Sequence, residues 1–289
     1  MGPVRNPARR YAVVLVLGSA TSLQVGAAVG ATLFPLVGPF GVAALRQVTS
    51  AVVLGALVRP PLRRIGLRRL LPAILLGVVL VGMNLALYSA VQRIGLGLAV
   101  TVEFIGPLAV ALLGARRPRD AAVGLLALAG VAALAGAFGG PAPDVVGLLL
   151  GLAAAALWAA YILLSERAGA LPGLTGTAVA SIVGTVLTLP VLVLLLAALP
   201  ADRLLQVLAI GAAVGVLSSA LPYSLDLVVL RRLPRAVFGM LQSAHPVAAA
   251  LFGLIVLGQH LDPVQLAGIA AVCSANVLAL SGRPAAPPA

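Results

Sequence analysis

The sequence predicts an all-α integral membrane protein with ten transmembrane helices in two inverted five-helix repeats. Three observations carry that expectation: an apolar composition, apolar runs of membrane-spanning length, and arginines placed between those runs. Of the 289 residues, 62% are hydrophobic and 9% charged, and the mean hydropathy is +1.16. Soluble chains carry about 25% charged residues, and this chain has too few to cover a water-facing surface. The apolar residues fall in runs of about 18–25, the length that crosses a bilayer as a helix. A net charge of +12 would suggest nucleic acid as the partner of a soluble protein. Here the basic residues lie between the runs, where they set topology, so the expected partner is the lipid bilayer and not nucleic acid. Every basic residue is Arg, a bias for which we have no physical account. The single Cys273 lies in the last run, so neither a disulfide framework nor a thiolate metal site is expected.

Taken in order, Arg5, Arg9 and Arg10 precede a first run from Tyr11 to about Val29. Its flanks imitate a secretory signal, but further spans follow and it reads as an uncleaved first span. Nine more spans fall at about 39–58, 70–91, 94–114, 120–138, 145–165, 173–197, 204–228, 236–257 and 263–281. Arginine placement tests this division. With a cytoplasmic N-terminus, the inner segments hold Arg5, Arg9, Arg10, Arg59, Arg63, Arg64, Arg68, Arg69, Arg116, Arg117, Arg119, Arg167, Arg231, Arg232, Arg235 and Arg283. The outer loops hold only Arg93 and Arg203, and Arg46 lies inside a span. That bias predicts a multi-pass protein of the cell (inner or plasma) membrane with both termini cytoplasmic.

An internal repeat accompanies the topology. Glu103-x-x-x-Pro107 recurs as Gln242-x-x-x-Pro246, and Gln92-Arg93-Ile94 recurs at the same offset as Arg231-Arg232-Leu233. Five spans per half is an odd number, so the second half enters the membrane upside down. Gly139-Gly140-Pro141-Ala142-Pro143 is the natural linker, dividing one transport unit into residues 1–140 and 141–289. Inverted repeats with broken helices at the midplane characterise secondary transporters.

Glu103 stands in an apolar run and is the first chemical landmark. A carboxylate at mid-membrane costs about 2.5–3.5 kcal/mol on insertion scales, so it faces protein or a water-filled cavity. Pro107 has no N–H for the carbonyl of Glu103, which adds a bare acceptor at the same level. The alternative is a plain proline kink with Glu103 tied to an internal arginine. Arg46 is either that counter-ion or the anchor for a substrate carboxylate. Asn84 and Tyr88 share a face of span 3. Ser219, Tyr223 and Asp226 share a face of span 8, with Pro222 breaking the helix among them; Asp226 is either a coupling group or an interfacial charge near Arg231. Phe238, Gln242, His245 and Ala249 share a face of span 9, where Pro246 frees the Gln242 carbonyl. His245 is either a hydrogen-bonded packing residue or a group whose titration near neutral pH suits proton coupling. Trp158, Tyr161 and Ser165 form either a packing stripe or a cavity wall. Gly26-x-x-x-Gly30, Gly147-x-x-x-Gly151 and Gly211-x-x-x-Gly215 read as helix contacts, and His260-Leu261-Asp262 as a solvated outer turn. No zinc-protease, nucleophile-elbow or phosphate-loop motif is present, so no enzyme, cofactor or metal is expected.

These stretches resemble the drug/metabolite transporter superfamily, specifically EamA-type carriers, with the threonine/homoserine exporter branch nearest. The resemblance rests on Leu33-Phe34-Pro35-Leu36-Val37-Gly38, Ala44-Leu45-Arg46, Gly82-Met83-Asn84 and, most specifically, Glu103-Phe104-x-Gly106-Pro107-Leu108-Ala109-Val110-Ala111-Leu112 with Arg116-Arg117-Pro118 after it. The second half adds Trp158-Ala159-x-Tyr161-Ile162-Leu163, Arg167-Ala168-Gly169-Ala170, Ala220-Leu221-Pro222-Tyr223-Ser224-Leu225 and Arg232-Leu233-Pro234. It implies ten helices in two inverted halves and efflux of small metabolites, amino acids above all. The chain departs from such carriers at His245, where an acid is expected before the proline, and at Gly258-Gln259-His260, where Gly-Glu is common.

The expected function is therefore secondary active export of amino acids or similar small zwitterions by alternating access. Arg46, Asn84, Tyr88, Glu103, Trp158, Tyr161, Tyr223, Gln242 and His245 are the expected substrate-binding residues, and Glu103, Asp226 and His245 the proton-coupling candidates. Pro107, Pro222 and Pro246 mark the helix breaks. The alternatives are an exporter of aromatic or cationic compounds, including drugs, and a membrane enzyme or lipid-handling protein. The low aromatic fraction of 4% speaks against a cation-stacking cage.

Overall fold

A computed structural model describes residues 7–58, 65–113, 118–139, 142–168, 171, 174–222, 225 and 241–281. These residues are helical throughout, with no strand among them. The helices are α1 (Pro7–Ala31), α2 (Phe34–Val58), α3 (Leu67–Ile94), α4 (Leu96–Glu103), α5 (Ile105–Leu112), α6 (Pro118–Leu134), α7 (Val145–Ala168), α8 (Thr175–Ala197), α9 (Ala201–Gly215), α10 (Ala244–Leu257) and α11 (Pro263–Ser281). A π-helical stretch, Val216–Ala220, continues α9. Because α4 and α5 are one helix interrupted at Phe104, ten helical segments result among the described residues. Among the described residues seven helices are long and apolar enough to cross a membrane, and Leu96–Leu112 and Ala244–Leu257 are shorter apolar helices.

The segment ends follow local chemistry. Gly95, at φ 81°, turns the chain between α3 and α4, and Gly258, at φ 65°, ends α10 in the left-handed conformation that glycine adopts without strain. Gly38, at φ 64°, kinks α2 just ahead of Pro39. Asp262 is more than a solvated turn residue: its Oδ1 accepts the N–H groups of Val264 at 2.7 Å and Gln265 at 3.1 Å, with Pro263 at the first helical position of α11. Gln259 does the same for α4 from a distance, its Oε1 accepting the Leu96 N–H at 2.8 Å. Asp144 precedes α7 and pairs with Arg93 at 2.7 Å. That bond holds the Asp144 carboxyl below its ordinary range, although an exposed, screened pair adds little stability.

Packing is that of a protein in lipid. Large side chains such as Val52, Leu57, Val186, Leu194 and Leu205 point outward, while Ala27, Ala28, Ala44, Ala90, Ala99 and Ala154 are buried. Lipid tails are as apolar as Leu, so burying large side chains gains nothing; close backbone approach through small residues does. The six glycines of the three spaced motifs bear this out. Each lies against a neighbouring segment, as Gly26 against Ser218, Gly211 against Leu45 and Gly147 against Ile94. The longest helix interfaces join distant parts of the sequence: α3 with α7 and α8, α2 with α8 and α9, α6 with α11, and α10 with α1 and α4.

Gly130 of α6 and Gly268 of α11 face each other across a close backbone contact away from the polar centre. A Cβ on either would sit 2.8–2.9 Å from the other's carbonyl oxygen. Gly130→Ala or Gly268→Ala should therefore force the helices apart, costing about 1–3 kcal/mol, read as a lowered Tm in detergent. Gly55→Ala, which meets nothing within 4 Å, should leave Tm unchanged.

Candidate functional site

The polar centre begins at a proline. Pro222 has no N–H to give to the preceding turn, and the π-helical stretch ahead of it shifts the ladder by one residue, Leu221 N–H reaching Val216 O. Pro222 thus leaves the carbonyl of Leu217 without its backbone donor, and side chains of the first helices reach both Leu217 O and Ser218 O. Ser22 of α1 donates to Leu217 O at 2.7 Å, and Arg46 Nη2 of α2 donates to Ser218 O at 2.8 Å. The rest of the Arg46 fork reaches Ser219 Oγ through Nε at 3.2 Å and Asn84 Oδ1 through Nη1 at 3.0 Å. Asn84 is fixed in turn by donating to Leu80 O at 2.8 Å. One turn along α2, Ser50 and Ser181 of α8 share a hydrogen bond of 3.1 Å.

Glu103 closes α4, only 5% exposed, and no hydrogen bond reaches its carboxylate among the described residues. It makes no ion pair with Arg46, although the guanidinium charge lies within electrostatic range. Phe104 is the break residue itself, 3% exposed. Its ring meets Trp158 of α7 edge-on at 4.7 Å and lies tilted over His245 of α10 at 5.6 Å. His245 is held at both nitrogens: Gln24 of α1 donates from Nε2 to Nδ1 at 3.2 Å, and Nε2–H donates to Gln242 Oε1 at 2.7 Å. These roles describe the neutral ring.

The structure thus brings Arg46 and Asn84 together in one network, and Glu103, Trp158, Gln242 and His245 around Phe104. Tyr88 is sealed at 0% exposure, its ring edge-on to Phe34 at 6.0 Å and its hydroxyl without a partner. Tyr161 packs among Leu76, Leu80 and Met83, toward the other end of α7 from the break. Tyr223 and Asp226 lie outside the described residues. Pro107 and Pro246 sit in the first turns of α5 and α10, and Pro222 just beyond the π turn. The sequence reading missed Gln24, Ser22, Ser218 and Phe104. Ser22 and Gln24 were detectable as a hydroxyl and an amide inside an apolar run; Phe104 carried no polar signal. The described residues contain no group of His, Cys, Asp and Glu able to hold a metal.

A helical bundle whose buried ionisable groups gather at broken helices is the architecture of a membrane carrier. Comparison with known proteins agrees. Residues 145–281 match the EamA-like transporter family. The chain is 40% identical to the threonine/homoserine exporter RhtA of Escherichia coli over 270 residues, 92% of this chain and 90% of that one. It is 39% identical over 269 residues to the RhtA of Salmonella typhimurium. A crystal structure of another protein, 21% identical, aligns over 93% of this chain and 96% of its own with a TM-score of 0.60, a likeness of fold alone. The chain belongs to the EamA-like transporter family, near the threonine/homoserine exporters; it is a multi-pass membrane transporter and not an enzyme.

Two substitutions test the network. Asn84→Leu removes the acceptor of Arg46 Nη1 and should lower stability by about 1–3 kcal/mol, read as a fall in Tm in detergent. Pro222→Ala returns an N–H that competes for the carbonyl now bonded to Ser22. We expect transport to fall several-fold with membrane abundance unchanged, by immunoblot; undiminished transport would show that the freed carbonyl does not matter.

Proposed function

We propose that the chain is a secondary active exporter of amino acids or similar small zwitterionic metabolites, working by alternating access between residues 1–140 and residues 141–289. The observation that carries this reading is the pair Glu103 and Arg46, buried together but held apart. A zwitterion offers an ammonium and a carboxylate a short distance apart, and a buried acid and a buried guanidinium suit its two ends. The printed names of the relatives, threonine/homoserine exporters, point to the same substrate class.

The helix packing supports two inverted halves. Numbering the ten segments in order, the third on the sixth (α3 on α7) has its counterpart in the eighth on the first (α9 and its π turn on α1). The third on the seventh (α3 on α8) is matched by the eighth on the second (α9 on α2), and the first on the ninth (α1 on α10) by the sixth on the fourth (α7 on α4 and α5). A five-segment shift thus carries these interfaces onto one another. The arginine bias favours the inner or plasma membrane with both termini cytoplasmic. Proton coupling would enter through Glu103, Asp226 or His245, of which Glu103 and His245 are the two among the described residues.

Cells loaded with a panel of amino acids should export one or a few of them faster with the wild type than without it. Glu103→Gln, at matched abundance, should reduce that flux at least tenfold. Unchanged flux would remove Glu103 from the mechanism. A protonophore should abolish accumulation into inverted vesicles driven by a pH gradient; insensitivity would leave export but remove the proton.

A further inference from the structure

We propose that Phe104 is the specificity-determining residue of the site, an aromatic wall that limits the size of the substrate side chain. The inference rests on the zwitterion reading above. An ammonium bonded to Glu103 places the substrate's Cα just beyond it, so the substrate side chain meets whatever surrounds that carboxylate. The residue that follows Glu103 at the break is aromatic. Phe104 is next in the chain, 3% exposed, and wedged between Trp158 and His245.

The wall is fixed from three sides. Behind it, Gly106 lets α5 rest directly on the backbone of Ala155, with no room for even a methyl group, so α5 and α7 are in backbone contact beside the ring. Trp158 follows Ala155 by three residues, on the same face of α7, and presents the edge that abuts Phe104. His245 is fixed by Gln24 on one nitrogen and Gln242 on the other. In this conformation the packed wall discriminates by volume, because a side chain too large must displace a packed ring. Removing the Phe104 ring would leave a space bounded by Trp158 and His245, suited to a larger apolar or aromatic side chain.

Discrimination by one methylene in a fixed apolar pocket is about 10–200-fold, which sets the scale of the test. Export of threonine, serine, leucine, methionine and phenylalanine would be measured for wild type, Phe104→Met, Phe104→Leu and Phe104→Ala, each at measured membrane abundance. The readout is the rate ratio of large to small substrates, which a loss of folding or of abundance does not move. The ratio should rise in the order of space released, at least about tenfold for Phe104→Ala. If the alanine variant does not reach the membrane, the methionine and leucine variants decide, because they keep most of the bulk. A ratio unchanged in every variant that reaches the membrane overturns the proposal while leaving the exporter reading intact. A wild type that moves none of the five amino acids overturns both.

Discussion

A backbone carbonyl without a donor is tolerated at membrane depth only where protein or water supplies one, and much of this structure follows from how that demand is met at Pro222. The proline and its π turn leave Leu217 O without a backbone N–H, and the first half of the chain supplies donors to it and to Ser218 O, Ser22 from α1 and Arg46 from α2. Arg46 also donates to Ser219 and to Asn84 of α3. Together these bonds fix three helices of one half against a broken helix of the other.

Magnitudes explain why this centre can be polar at all. An arginine at mid-membrane costs about 2.5–3.5 kcal/mol on insertion scales. A hydrogen bond to a charged group contributes about 1.5–3 kcal/mol, and three of the Arg46 bonds are directed and short, so the network outweighs the cost of placing the charge there. Packing alone would not specify this arrangement. The interfaces are lined by Gly and Ala, which let many helix pairs approach but choose weakly among them; the hydrogen bonds supply the choice.

The fold was legible in the sequence because lipid imposes simple rules. Run length, arginine bias and proline placement located nearly every segment, and the last span, 263–281, agrees with α11 at both ends. The extension of α1 to Ala31 and of α3 to Ile94 was less legible, since helices continue past the apolar run until a glycine or a turn stops them. In the site, charge was the readable signal: Arg46, Glu103 and His245 stood out against an apolar background. What they bond to was not readable. Arg46 could be expected to find Glu103 by charge alone, yet its named bonds go to a carbonyl, a hydroxyl and an amide. Gln259, read as a lost acid, became instead the cap of α4, a role that requires knowing which helix end lies beside it.

The charge count at the centre bears on how an exporter of this kind would be driven. Among the described residues the buried ionic groups there are one guanidinium and one carboxylate, while the His245 ring is bonded as the neutral form. With Glu103 ionised, these two described charges balance each other, and a zwitterion adds no net charge to them. Moving one elementary charge through 100 mV is worth about 2.3 kcal/mol, so a balanced site crosses the field without that contribution. Substrate alone would then be carried down its own gradient, electroneutrally. A proton taken up at Glu103 or His245 is the one change that would make the loaded and empty forms differ in charge, and so let the membrane potential act on one half of the cycle and not the other. Coupling in such a site needs no separate machinery: it follows from which of the two charge states the protein carries as each side opens.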